Sequence, residues 1–385
     1  MTYISRSCVD EIETSLKRFK VIAIIGPRQV GKSTLAKKML SSKDISLDLE
    51  RPSDLRKLSD PETFLSMHKD KMICIDEIQF SPELFPVLRT LVDDSERKGQ
   101  FLILGSASPN LLKQSSETLA GRIKYIELAP FSIEEVGEDK LYDLWLKGGY
   151  PDSFLVDEEF SFEWREAYIK TFLERDLALF GYRRSASQMR RFWTMLSHLQ
   201  GQTLNRAKLA GSLDSTGPTI KSFLELMEDT FMVRVLEPWH ANLKKRLVKS
   251  PKVYIRDSGL LHCILGIETF DQLQGNPIYG ASFEGFAIEQ ILNNISSKWN
   301  CSYYRSAKGE ELDLILQLRD ITIAIEVKCS KAPQLTKNNF SAIDTVKPNH
   351  CYVLSLVADP YDLSEKLTIT NIFSLLKELK ILEKR

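Results

Sequence analysis

The chain has 385 residues, and its 52 basic residues balance 52 acidic ones; this excludes a bulk polycation that binds nucleic acid by net charge alone. At 43% hydrophobic and 27% charged, it reads as an ordinary soluble globular protein with room for two or three cores. The cysteines (Cys8, Cys74, Cys263, Cys301, Cys329, Cys351) contain no Cys-x-x-Cys pair, which excludes a zinc or dithiol site of that spacing and favours a reducing compartment. The first residues lack a signal-peptide core and no run reaches the ~18 apolar residues of a membrane span, so a cytoplasmic location without a membrane partner is expected.

From residue 21 to 130, short apolar runs alternate with helical patterns: "VIAIIG" then "KSTLAKKML", "KMICIDE" then "PELFPVLRTLVDDSERK", "FLILGSA" then "LLKQSSETLAG", and lastly "KYIELAP". Continuous apolar strands separated by helices predict a parallel sheet covered on both faces. The first junction reads Gly26-Pro27-Arg28-Gln29-Val30-Gly31-Lys32-Ser33, with Thr34 following. This is the full G-x-x-x-x-G-K-[ST] phosphate loop. Its glycines let backbone N–H groups converge on phosphate at a helix N-terminus. Lys32 would reach the β- and γ-phosphates, and the Ser33 hydroxyl would ligate Mg²⁺.

"MICIDEIQ" then delivers Asp76 and Glu77 to the carboxyl end of a strand, where open α/β sheets bind ligands. Asp76 would hold Mg²⁺ through water, and Glu77 would orient or deprotonate the attacking water. The paired acids favour hydrolysis of ATP or GTP over transfer to a small acceptor. "FLILGSAS" ends in Ser106 and Ser108; a polar residue there can sense the γ-phosphate or cap the next helix.

The ordered motifs "GPRQVGKST", "CIDEIQ", "FLILGSAS", "LAGRI" and "GGYP" resemble a broad group of prokaryotic AAA-type ATPases, over nearly the whole chain. The resemblance implies ATP and Mg²⁺ as cofactors and Ser106 as the phosphate-sensing residue. It also implies Arg122 as an arginine finger, acting in cis or across the interface of a homo-oligomer. Gly149-Tyr150-Pro151 resembles the Gly-x-Pro that lies against adenine in signalling ATPases of this class.

From Lys140 to about Ser250 the periodicity is helical. "NRAKLAGSL", the turn "DSTG", "PTIKSFLELMED" and "FMVRVLEPW" outline a winged helix-turn-helix, which the family resemblance also implies. Thr219, Lys221 and Ser222 stand at the start of its second helix, but Glu225, Glu228 and Asp229 follow. Arg183, Arg184, Arg190 and Arg191, with Lys244, Lys245 and Arg246 in the wing, offer phosphate contacts. A nucleic-acid partner is expected here, DNA before RNA.

Beyond Ala281 a helix with Glu284 precedes strands carrying Asp313 in "ELDLIL" and Glu326 and Lys328 in "IAIEVK". Strand alternation turns Asp313, Glu326 and Lys328 toward one edge, where two carboxylates can ligate a metal and a lysine can activate water. This resembles the PD-(D/E)xK nuclease fold, with Glu284 as its helix acid. The chain is thus read as α/β throughout: an AAA-type domain (1–138), a helical lid with winged helix (139–270), and a restriction-endonuclease-like domain (271–385). Two functions fit it. One is an ATPase coupled to nucleic-acid engagement, with or without cleavage; the other is a regulatory ATPase whose last domain binds a protein or effector and cuts nothing.

Overall fold

A computed structural model describes residues 3–106, 118–179, 185–239 and 247–384. The amino-terminal sheet comprises β1 (Val21–Gly26), β2 (Ile45–Asp48), β3 (Ile73–Asp76), β4 (Phe101–Ser106) and β5 (Ile123–Glu127). All pairings are parallel, in the order β2-β3-β4-β1-β5. Val21 and Ala23 enter one buried cluster with Ile73, Ile75 and Leu88, while Ile22 and Ile24 enter another with Leu35, Leu102 and Leu104. Both faces of β1 are therefore buried, which explains its unbroken apolar run. β1, β3 and β4 end together on one side, and the phosphate loop and the acidic pair project from that side.

The middle of the chain is mainly helical. Asp157 caps the helix Glu158–Thr171 by accepting from Phe160 N at 2.9 Å, and that helix runs on through a π-helical turn, Phe172–Asp176. Helices Ala186–His198, Arg206–Ser212 and Gly217–Asp229 follow, the last capped by Thr216 with proline in its first turn. They bury Phe192, Trp193, Phe223 and Met227 against an antiparallel pair, β6 (Val233–Leu236) and β7 (Lys252–Ile255).

The last part opens with the helix Tyr279–Asn294. β8 (Asn300–Arg305), β9 (Glu311–Leu318) and β10 (Ile321–Lys328) then form an antiparallel meander. After the helix Lys337–Val346, β11 (His350–Ser355) joins β10 in parallel. A hairpin of β12 (Tyr361–Ser364) and β13 (Leu367–Thr370) extends the sheet beyond β11. That hairpin is not foreseen from the sequence: its strands are only four residues long, and β12 is exposed at every residue.

The core beneath this six-stranded sheet does not stop at the carboxyl-terminal segment. Trp145 and Leu146 lie in it with Phe283, Phe286, Leu314 and Leu375. Trp145 Nε1 donates to Ser282 Oγ at 2.9 Å, and Ser282 Oγ lies 2.7 Å from His262 Nε2. His262 Nδ1 meets Leu146 O at 2.9 Å. Every polar atom of this dry junction is satisfied when Nδ1 carries the imidazole proton and Nε2 accepts from serine. Among the described residues no helix is long and apolar enough to cross a membrane.

Candidate active site and a second carboxylate cluster

The loop from Gly26 to Lys32 wraps tightly for steric reasons. A Cβ on Gly26 would stand 2.3 Å from Leu128 O, and Gly31, at φ 98°, occupies left-handed space before the helix Lys32–Met39; neither position admits a side chain without strain. Val30 is buried, Gln29 and Thr34 are exposed, and Pro27 is buried. Arg6, from the amino-terminal segment, braces the loop by donating to Val30 O at 2.9 Å and pairing with Glu135 at 3.2 Å. Gly31 also faces Pro151, whose Cγ is 4.0 Å from a Cβ built there. The Gly149-Tyr150-Pro151 turn thus lies beside the phosphate loop.

Lys32 is buried and folds back, donating to Gly26 O at 3.0 Å and Pro27 O at 2.7 Å. Burial pulls its ammonium down to about 8, against the opposing pull of Glu77 and Asp76. Across the crevice Asp76 Oδ1 accepts the Glu77 N–H at 3.0 Å. Glu77 itself sits at φ 55°, an uncommon conformation for this residue type and one that collects at functional sites. Burial raises the Glu77 carboxyl above its usual range, which suits a general base. Gln79 Nε2 bridges Glu77 Oε2 and Ser106 Oγ, the latter at 3.1 Å, and its Oε1 is buried without a partner. Ser106 pairs in register with Gly26, so Lys32, Glu77 and Ser106 share one crevice. Gln79, inside "CIDEIQ", is the member to which the sequence assigned no role.

Helices from the middle of the chain roof this crevice. Gly26, Pro27, Arg28 and Ser106 face Tyr168, Phe172, Asp176, Thr230 and Met232 across only about 10 Å³ of space, far below the several hundred Å³ of a ligand pocket. Arg28 ion-pairs with Asp176 from the π-helical turn and lies 3.2 Å from Glu50. Burial raises the Asp176 carboxyl while Arg28 opposes the shift. The phosphate loop is thus packed closely against the middle segment at Gly26, Pro27 and Arg28.

Arg122 does not join the site in cis. It immediately precedes β5, whose first residue pairs with Val21 at the amino end of β1. The length of β1, six residues at ~3.3 Å each, separates Arg122 from the phosphate loop. Its guanidinium grips Asp93 at 2.5 and 2.9 Å, so its own subunit uses it as an ion pair.

The carboxyl-terminal acids do assemble, but around an ammonium group. Lys252 of β7 places Nζ 3.0 Å from Glu284, 2.7 Å from Glu311 and 3.0 Å from Asp313. Those acids lift its ammonium well above the ordinary range against the effect of burial. Glu326 pairs instead with Lys328 at 2.7 Å and Asn339 at 2.8 Å. Burial and the neighbouring Asp313 carboxylate push Glu284 up to about 7 and Glu326 up to about 8. Among the described residues, no group of three or more His, Cys, Asp or Glu has metal-binding geometry. Of the three acids expected to hold a metal, Glu284 and Asp313 thus face the Lys252 ammonium and Glu326 faces Lys328 and Asn339.

In the helix-turn-helix outline, Lys221 is exposed and pairs with Glu225 at 3.5 Å, and Glu228 is exposed as well. Arg190 and Arg191 are exposed. Ser108, Arg183, Arg184, Lys244, Lys245 and Arg246 lie outside the described residues.

Comparison with known proteins agrees with this layout. Residues 18–137 match the family described as AAA domain. Residues 138–271 and 279–375 match two domains of unknown function, DUF8612 and DUF4143. The uncharacterized protein Rv2008c of Mycobacterium tuberculosis is 43% identical over 340 residues, covering 88% of this chain and 77% of its own. This chain belongs to the Rv2008c family. Mb2031c of Mycobacterium bovis matches with the same identity and coverage. A multidomain signal-transduction ATPase with a tetratricopeptide-repeat sensor, from Pyrococcus horikoshii, aligns at 14% identity. It covers 76% of this chain and 48% of that one at a TM-score of 0.32, an overlap too low to build on. The family member described here thus carries an AAA-type domain followed by two segments that match domains of unknown function.

Proposed function

We propose that this chain binds and hydrolyses ATP and uses the nucleotide to move the helical segment that roofs its phosphate loop. The observation that carries this reading is the meeting of Lys32, Glu77 and Ser106 at the ends of three adjacent strands, beneath a roof latched to Arg28. In this reading Lys32 leaves the Gly26 and Pro27 carbonyls for the β- and γ-phosphates. Glu77, held by Gln79, takes a proton from the attacking water. Ser106 donates to a γ-phosphate oxygen. Ser33 and Asp76 supply hard oxygen donors that fit Mg²⁺, which is usually held by one or two protein ligands together with phosphate oxygens and water; when bound, that ion neutralises charge on the phosphates. Arg28, drawn toward phosphate, would release Asp176 and with it the roof. The test is ATP turnover by purified variants: Lys32→Ala should lose binding, and Glu77→Gln should keep binding while slowing turnover ~10²–10⁴-fold. Wild-type turnover in both variants would refute the site.

Nucleic-acid engagement by the middle segment is a second reading, favoured by the exposed pair Arg190 and Arg191 and opposed by Glu225 and Glu228 on the helix that would read bases. If it is right, duplex DNA stimulates ATP turnover, and salt suppresses the stimulation steeply. The restriction-endonuclease-like reading of the last domain rests on its order of helix, three-strand meander, helix and parallel strand. We propose the likeness for the fold and do not extend it to cleavage.

A further inference from the structure

An oxygen-liganded divalent metal needs several oxygens with free lone pairs converging on one point. In the carboxyl-terminal cluster the carboxylate oxygens that converge on one point converge on an ammonium group. A lysine ammonium has three N–H donors, and Lys252 has three carboxylate partners within 3.0 Å: Glu284, Glu311 and Asp313. Glu284 Oε1 also accepts from Tyr254 OH at 2.7 Å, and Asp313 Oδ2 accepts from Val327 N at 2.9 Å. Arg305 holds Glu311 Oε2 at 3.1 Å. Glu326 Oε1 is shared by Lys328 and Asn339, which leaves Glu326 Oε2 buried without a partner. The local balance is four acids (Glu284, Glu311, Asp313, Glu326) against three cations (Lys252, Arg305, Lys328). Deleting Lys252 removes the positive charge on which Glu284, Glu311 and Asp313 converge, and a divalent ion is the natural replacement for it.

Lys252 cannot leave easily. It lies on β7, where Val253 and Ile255 are buried in the helical core while Tyr254 enters the core of the carboxyl-terminal sheet. β7 pairs with β6 along its whole length, from Leu236–Lys252 to Val233–Ile255. With both faces of β7 buried, the Lys252 side chain is enclosed by packed residues rather than by solvent. Its side chain is 2% exposed, so water cannot replace the carboxylates in place.

We propose that this cluster is an ammonium site filled by Lys252 of the chain itself, and that it accepts a divalent cation only when that lysine is removed. The acids then serve to dock β7 onto the carboxyl-terminal sheet, and Asp313, Glu326 and Lys328 carry out no metal-dependent cleavage. The inference is independent of ATP hydrolysis.

The test uses the full chain without nucleotide, in a Ser33→Ala background that removes the phosphate-loop hydroxyl proposed to hold Mg²⁺. Bound Mn²⁺ is counted by electron paramagnetic resonance, and melting is followed with and without Mn²⁺. With Lys252 intact, no stoichiometric Mn²⁺ should bind and the melting temperature should not respond to it. Lys252→Ala should gain one Mn²⁺ per chain, lose it again when Asp313→Asn is added, and melt higher with Mn²⁺ than without. A Lys252→Ala chain that folds and gains no Mn²⁺ would overturn the proposal. Should that variant fail to fold, the Lys252-containing chain decides alone: stoichiometric Mn²⁺ binding that Asp313→Asn abolishes, or Mn²⁺-dependent cleavage of labelled DNA, refutes the proposal, and the absence of both upholds it.

Discussion

Raising the pH should weaken ATP binding while stabilising the nucleotide-free protein, and Lys32 is the reason. Its ammonium, confined between the Gly26 and Pro27 carbonyls, titrates at about 8 instead of the ordinary 10.5. The sign follows from which state holds the proton. Below pH 8 both folded and unfolded chains carry a charged Lys32, and the burial penalty is present in full. Between 8 and 10.5 the folded chain sheds its proton first, and the penalty, about 3 kcal/mol for a shift of this size, is relieved. A bound triphosphate does the reverse and restores the charge. Binding should therefore take up about half a proton near pH 8 and nearly one proton at about pH 9, with affinity falling toward tenfold per pH unit above 8. Calorimetric titration with ATP in buffers of differing ionisation enthalpy reads this uptake directly. Identical apparent enthalpies in every buffer, or a flat affinity from neutral pH to about pH 9, would refute the buried-lysine reasoning.

Three further outcomes are expected. Asp176→Asn removes the charged partner that latches the roof to Arg28, so ATP affinity should rise by about ten- to a hundredfold, from roughly 1.5–3 kcal/mol of charge-assisted hydrogen bonding; unchanged affinity would mean the latch does not gate entry. Arg122→Ala should leave ATP affinity intact, and if the side chain reaches a neighbouring subunit it should also abolish the rise of specific activity with protein concentration; equal turnover at all concentrations confines Arg122 to its pair with Asp93. His262 is held neutral by burial, with its pKa at about 3. The unfolded chain protonates near 6.5 while the folded chain does not, so stability is full above that value. It should fall by about 3 kcal/mol over the first two pH units below it, as measured by urea melts against His262→Gln, and parallel pH profiles for the two proteins would refute this.

What was legible in the sequence was local. The phosphate loop packs its glycines, Lys32 and Ser33 into eight consecutive residues, and Asp76 and Glu77 close an apolar run, so neither depends on distant packing. The central strands of both large sheets, β1, β3 and β4 in the first and β9 and β10 in the second, announce themselves in the same way. What was not legible is set by distance along the chain. Arg28 and Asp176 are 148 residues apart, and Asp176 looks like one more polar residue on a helical surface. Lys252 precedes Asp313 by 61 residues, on a strand whose basic flank suggested phosphate contacts. The acids of the last domain were visible as a set, but their counter-ion was not, because no periodicity marks a lysine that faces a different domain. Arg122 was placed by motif order alone, and motif order says nothing about which end of a strand a residue occupies.

The hydrogen-bonded junction of Trp145, Ser282 and His262 has a consequence for inheritance. The segments 138–271 and 279–375 are separate sequence families, yet Trp145 from the first lies buried among Phe283 and Phe286 of the second. A gene that acquired one without the other would express a chain with an open tryptophan-lined face and a stranded imidazole, prone to aggregate before selection could act on any activity. Recombination should thus shuffle the pair together, and chimaeras between distant relatives should fail when joined near residue 275.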